Sequence, residues 1–205
     1  MKILQKSAND RKQALILFLG IIVCSGIFGW IYETLFYMYN YDGLIVKRGS
    51  CFGPWLDIYC LGGVLIYFAC RKLTGKPWLV FLVSGALCGA LEYAAGFLMD
   101  RINGGNYGWD YNTEKLNFGN INGYVCLRSV LVFALAGLLL FYGIIPMLKW
   151  FQRKIGEKAY TWIIAILGTV VLLDIAYNDI VAGIFGLPSA PQIYSSLGWF
   201  SPTPG

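Results

Sequence analysis

Histidine is absent from this 205-residue chain, and charge is scarce, at 13% of residues. Without imidazole, histidine proton relays and the usual zinc hydrolase sites are excluded. A soluble domain is about 25% charged and about 45–50% apolar. Here 58% of residues are hydrophobic and 17% aromatic. A globule of this size cannot hide so much apolar surface behind a charged exterior. The same composition excludes a disordered chain. Two motifs are also missing. No Gly-x-x-x-x-Gly-Lys-[Ser/Thr] phosphate loop occurs, so the chain carries no such nucleotide motor. None of the six cysteines has CxxC spacing, which argues against a zinc knuckle or a thioredoxin-like centre.

What is present is long apolar runs. A membrane helix needs about 20 apolar residues, and five stretches qualify: 14–39, 52–70, 78–99, 124–147 and 160–184. The second is the weakest, because it contains Pro54, Asp57 and the pair Gly62–Gly63. None alternates as barrel strands do. The expected fold is therefore all-α, a polytopic helix bundle with about five transmembrane helices. It is bounded by a basic N-terminal segment, 1–13, and a tail, 187–205, rich in proline and aromatics. The first run is about twice the length of a signal-peptide core and is expected to remain as an anchor.

Basic residues orient the bundle. Eleven flank one side: Lys2, Lys6, Arg11 and Lys12; Arg71, Lys72 and Lys76; Lys149, Arg153, Lys154 and Lys158. Four flank the other: Lys47, Arg48, Arg101 and Lys115. The predicted topology has the N-terminus inside and the C-terminus outside. Dropping the second span would spoil the pattern. The net charge of +5 follows from this topology and gives no reason to expect a nucleic-acid partner.

The outer loops differ from the short basic inner ones. The segment Arg101–Gly123 holds six Asn and five Gly around Tyr107-Gly108-Trp109-Asp110-Tyr111. Asn and Gly tolerate left-handed backbone, so the loop is expected to be rich in turns. It reads either as an interfacial turn or as a lid over an outward-facing site. The tail contains four of the seven prolines with Tyr194, Trp199 and Phe200. It is expected to lie along the outer interface and cannot be one long helix. Cys51, Cys60 and Cys126 fall on or near the outer side. A disulfide among them is open, with buried thiols the favoured reading.

Ionisable groups inside spans cost about 2.5–3.5 kcal/mol each on insertion scales and face protein or water. Glu33, Glu92, Arg128, Asp174 and Asp179 are such groups, and Asp57 lies near the start of the second span. With the predicted topology all six fall in the outer half of the bilayer, which predicts a polar cavity open to the outside. Gly26, Gly29 and Glu33 share a helical stripe, as do Gly85, Gly89, Glu92 and Gly96. Small residues permit close helix approach, so these faces are expected to be buried. Asp174 and Asn178 share a face; Asp179, about 140° away on a regular helix, is expected to serve another contact. Arg128 either pairs with Glu33 or Glu92 and fixes helix register, or neutralises one acid only. In the second case the remaining acids would bind a cation, carry a proton or hold a polar substrate.

Several short motifs occur in order: Gly29-Trp30-Ile31-Tyr32-Glu33; Arg48-Gly49-Ser50-Cys51-Phe52-Gly53-Pro54 followed by Ile58-Tyr59; Glu92 with Gly96; Trp109-Asp110-Tyr111; and Asn122-Gly123 with Cys126-Leu127. Together they resemble a bacterial membrane-protein family described as ABC-transporter type IV, a permease-like group. The similarity runs from about Gly29 to Ser129. This sequence has Asp57-Ile58-Tyr59-Cys60 where the family pattern has Pro-Ile-Tyr-Gly. The resemblance implies a bacterial cell-membrane permease subunit, without a cofactor, that uses a separate ATPase subunit. Five spans do not divide into two equal halves, so a homo-oligomer is the expected working unit. The candidate binding residues are Glu33, Glu92, Arg128, Asp174 and Asn178. Arg48, Asp57, Tyr59, Trp109, Asp110 and Tyr111 are the outer-loop contributors. The residues alone leave two other functions open. One is a membrane-embedded enzyme on lipid or envelope substrates, with carboxylates as acid and base and Arg128, Arg48 or Arg101 on a phosphate. The other is a small regulatory or scaffold protein whose charges lock the bundle.

Overall fold

The computed structural model describes residues 2–103 and 109–199, and side chains among 10–102 and 109–199. The chain is 74% helical, with no strand among the described residues. In chain order the helices are α1 (Lys2–Asn40), α2 (Asp57–Cys70), α3 (Pro77–Asn103), α4 (Leu127–Leu139), α5 (Ile145–Ile155), α6 (Glu157–Ala176), α7 (Ala182–Phe185) and α8 (Ala190–Ser196). Single π turns, Leu140–Ile144 and Tyr177–Val181, join α4 to α5 and α6 to α7 without a break. Among the described residues, four continuous runs are long and apolar enough to cross a membrane: Asp10–Asn40, Pro77–Ile102, Leu127–Ile155 and Glu157–Phe185.

The second expected span is shorter than predicted. It becomes helical only at Asp57 and has 14 residues, about 21 Å at 1.5 Å per residue, against a hydrocarbon core of about 30 Å. The reason lies in its first residues. The Phe52 and Gly53 N–H groups donate to the Asp174 carboxylate at 3.0 and 2.9 Å, and Pro54 has no N–H to give. The single helical domain expected over 14–186 is divided instead between two compact units. One comprises residues up to Val64 with those from Ile144 onward; the other is Leu65–Gly143.

In the first unit, glycines let backbones approach. Gly26 and Gly29 of α1 face Cys60 and Tyr59, while Ser25 faces Gly63, so α1 and the start of α2 run antiparallel. The Leu56 N–H donates to the Gly26 carbonyl at 3.1 Å. Along α6, Leu19 meets Gly168, and Ile22 and Val23 pack with Val171 and Cys60. Residue numbers rise together, so α1 and α6 run parallel. Parallel neighbours cross a bilayer in the same sense, which requires an odd number of crossings between them. The long runs of α3 and α4–α5 supply two; α2 is the segment available for the third. A side chain at Gly29 would land on the Tyr59 ring. Gly29→Ala should therefore cost about 1–3 kcal/mol by overpacking, read as a lower thermal midpoint in detergent.

The second unit is built on a hairpin of α3 and α4. Gly85 lies against Val130 and Ala134, Gly89 against Val130, Gly96 against Tyr124, and Gly137 against Ser84. The Gly85-x-x-x-Gly89 spacing thus does what small residues do in membranes: it brings two helices together. Ser84, fully buried, lies 3.6 Å from the Cys70 sulfur.

Candidate functional site

The charges within the long apolar helices hold the loops. In the first unit, Arg48 donates to one Glu33 oxygen through Nε at 3.0 Å and Nη2 at 2.9 Å. Its guanidinium carbon also sits 3.5 Å from the centre of the Tyr37 ring, a cation–π contact. Glu33 and Tyr37 are four residues apart on α1, so one helix face presents both an acid and a ring to the loop cation. Gly49 follows with φ of 72°, a backbone conformation suited to glycine. Lys47 Nζ donates to the Arg48 and Gly49 carbonyls at 2.8 and 3.2 Å, and burial lowers its pKa.

Asp174 accepts from the loop backbone at Phe52 and Gly53 and from Asn178 Nδ2 at 2.7 Å. Asn178 Oδ1 in turn accepts from the Ala190 N–H at 2.7 Å. The tail closes on the same loop. Tyr194 donates to the Phe52 carbonyl at 2.8 Å, and the Phe52 ring contacts both Tyr177 and Tyr194. Tyr177 donates to the Pro188 carbonyl at 3.0 Å. Asp57 opens α2, where a carboxylate suits the positive helix end. Tyr59 packs on Gly29, and its ring lies 6.5 Å from that of Tyr32.

Asp179 departs from expectation. Its neighbours are the Ser50 hydroxyl and the Asp57 carboxyl, with Asp174 nearby. The 140° separation from Asp174 assumes a regular α-helix. The π turn over Tyr177–Val181 is wider, so Asp179 also serves the loop side.

In the second unit Glu92 is held by two hydroxyls. Tyr111 donates to Oε1 at 2.6 Å and Ser129 to Oε2 at 2.7 Å. Ser129 Oγ also lies 2.8 Å from the Cys126 carbonyl. Having one hydrogen, it donates to one of the two at a time. Burial and the Glu92 carboxylate raise the Tyr111 phenol well above its ordinary range, so it remains a donor. Arg128 donates to Glu114 Oε2 at 2.7 Å, and its guanidinium lies 5.2 Å from the Tyr111 ring centre. Of the two readings of Arg128, direct pairing with Glu33 or Glu92 gives way: its ion pair among the described residues is with Glu114. Glu114, in the Asn-rich loop, is buried. No sequence signal singles it out, because its burial comes from the fold of the loop.

That loop is a network of turns over its described part; Tyr107 and Gly108 lie outside the described residues, as does Phe200 of the tail. Asp110 Oδ1 accepts from the Asn112 N–H at 2.9 Å and from its side chain at 2.7 Å, an Asx turn. Trp109 Nε1 donates to the Tyr124 carbonyl at 3.0 Å. The Tyr111 N–H donates to the Gly123 carbonyl at 3.1 Å, and Tyr124 Oη to Asp100 at 2.6 Å. All six cysteines carry free thiols, and burial pushes that of Cys51 up to about 12.

The candidate residues therefore fall into two sets. Glu33, Arg48, Asp57, Tyr59, Asp174 and Asn178 belong to the first unit, and Glu92, Trp109, Asp110, Tyr111 and Arg128 to the second. Long apolar helices with paired polar groups inside them define a polytopic helical membrane protein. The chain belongs to the family described as "Putative ABC-transporter type IV", whose profile matches residues 20–178. No curated protein and no solved structure matches it.

Proposed function

We propose that the chain is a permease-like subunit of an ABC-type transporter in the bacterial cell membrane. Its N-terminus is cytoplasmic and its C-terminus extracytoplasmic, and a separate ATPase subunit supplies the work. The outward-facing polar site lies around Glu92, with Tyr111, Ser129 and Arg128. One observation carries this reading. Arg128 directs its ion pair to Glu114, whereas Glu92 is bonded by neutral hydroxyls. A carboxylate so placed keeps lone pairs for a polar substrate or a proton.

The first test is purification in gentle detergent followed by mass spectrometry. An ATPase should co-purify with the wild-type chain; a folded, membrane-inserted chain that brings none would remove the transporter reading. A second reading, a scaffold locked by charge, is favoured by the pairs Glu33–Arg48 and Arg128–Glu114. Two variants are compared, Glu33 and Arg48 replaced together by Met, and Glu92→Gln; the second separates the readings. Under the scaffold reading partner binding and phenotype survive, and Glu92→Gln is equally silent. Under the transporter reading Glu92→Gln abolishes the phenotype at normal expression.

A further inference from the structure

Helix α5 ends one of the long apolar runs, yet its own surface is two-sided. Ile145 and Leu148 are buried, Gln152 and Ile155 half-buried. Lys149, Trp150, Arg153 and Lys154 are exposed. Lys149 and Arg153 stand four residues apart, as do Trp150 and Lys154, so the four form two adjacent stripes on one face. The Lys154 ammonium sits 4.9 Å from the Trp150 ring centre. Gly156, at φ of 87°, ends the helix, and α6 starts at the next residue. That tight turn carries exposed Lys158 to the same end. Leu148 and Tyr160 both pack against Gly20 of α1, and the Phe151 and Tyr160 rings meet edge-on at 6.1 Å. The basic face is therefore mounted on a fixed three-helix end. Arg11 and Lys12 of α1 are exposed at that end too. The acids there are Glu157, at the start of α6 where the helix dipole favours it, and Asp10. Positive charge prevails.

We infer that this face of α5, with Lys158, is a binding surface for anionic phospholipid headgroups. Three observations select lipid over a protein partner. The surface terminates an apolar run, Leu127–Ile155, that is long enough to cross a bilayer. Trp150 is 52% exposed beside the cations, the amphipathic ring that suits the headgroup zone. Trp162, one turn beyond Lys158 on α6, is 63% exposed. Clustered Lys and Arg at such a boundary draw acidic lipid, and Arg153 can grip a phosphate with two donors. The inference does not depend on the transport reading.

The test uses the full chain in nanodiscs of phosphatidylcholine with phosphatidylglycerol. Retained lipids are then counted by native mass spectrometry. The wild type should retain phosphatidylglycerol preferentially. The combined variant Lys149→Gln, Arg153→Gln, Lys154→Gln, Lys158→Gln should lose that preference by about tenfold. A control variant, Arg71→Gln, Lys72→Gln, Lys76→Gln, should keep it, since it removes positive charge without touching this face. Trp150→Leu, which leaves all charges, should give a smaller loss and guards against misfolding of the combined variant. Preference retained in the combined variant, or lost equally in the control, overturns the inference. So does loss of a co-purifying acidic protein from the combined variant while its lipid preference stays intact.

Discussion

Replacing Arg128 by Met is expected to destabilise the protein by about 3–5 kcal/mol, the usual consequence of removing one partner of a buried ion pair. The partner is Glu114, whose side chain is 5% exposed, against 11% for Arg128. Loss of the guanidinium takes a 2.7 Å charge-assisted hydrogen bond from that buried carboxylate, and removes the cation beside the Tyr111 ring. Glu114→Gln alone should cost less, because an amide oxygen still accepts from Arg128. The combined Arg128→Met, Glu114→Met variant should recover most of the stability, since two apolar groups of similar volume leave no charge unpaired. Thermal unfolding in one detergent compares all three. Equal midpoints for Arg128→Met and wild type would show that the pair contributes nothing. A combined variant no better than the single would place the effect in packing on Tyr111.

Glu92→Ala is expected to cost about 2–4 kcal/mol, because it leaves hydroxyl donors buried without their acceptor. The two donors are not equivalent. Ser129 has the Cys126 carbonyl 2.8 Å away as an alternative acceptor. Tyr111 is the one stranded. Tyr111→Phe in the Glu92→Ala background should therefore restore part of the loss, whereas Ser129→Ala in that background should not. Glu92→Gln keeps an acceptor for Tyr111 and should fold nearly as well as wild type, so any loss of phenotype in that variant reports on the charge. Thermal midpoints and a double-mutant cycle make these comparisons. Additive effects of Glu92→Ala and Tyr111→Phe would mean the hydrogen bond is not what stabilises the loop.

Both predictions follow from one structural pattern. Each of Glu33, Glu92, Arg128 and Asp174 lies in a long apolar helix and reaches a loop: Arg48, Tyr111, Glu114, and the Phe52–Gly53 backbone respectively. The residues were legible in advance because an ionisable group is costly in hydrocarbon wherever it occurs. Their partners were not. Glu114 and Tyr111 stand in a loop whose composition announces turns, and turn chemistry does not say which side chain folds inward. The Asp174 partners are backbone N–H groups, which every residue except proline carries and no sequence pattern marks. Asp179 shows a third limit. Its direction was read from 3.6 residues per turn, and a π turn beginning two residues earlier at Tyr177 changed the angle.

The sequence by itself determined the solvent and the helical class. Runs of Leu, Ile, Val, Phe and Ala dictate helices in lipid, since backbone groups there must be satisfied within the segment. The small faces at Gly26–Gly29 and Gly85–Gly89 were likewise set locally, because spacing alone puts them on one stripe. Tertiary structure decided the start of α2 and the partner of every buried charge. It also decided that α1 and α6 lie side by side in parallel. These depend on which distant atoms compete for the same hydrogen bonds, as when Asp174 takes the N–H groups of residues 121 and 122 positions away.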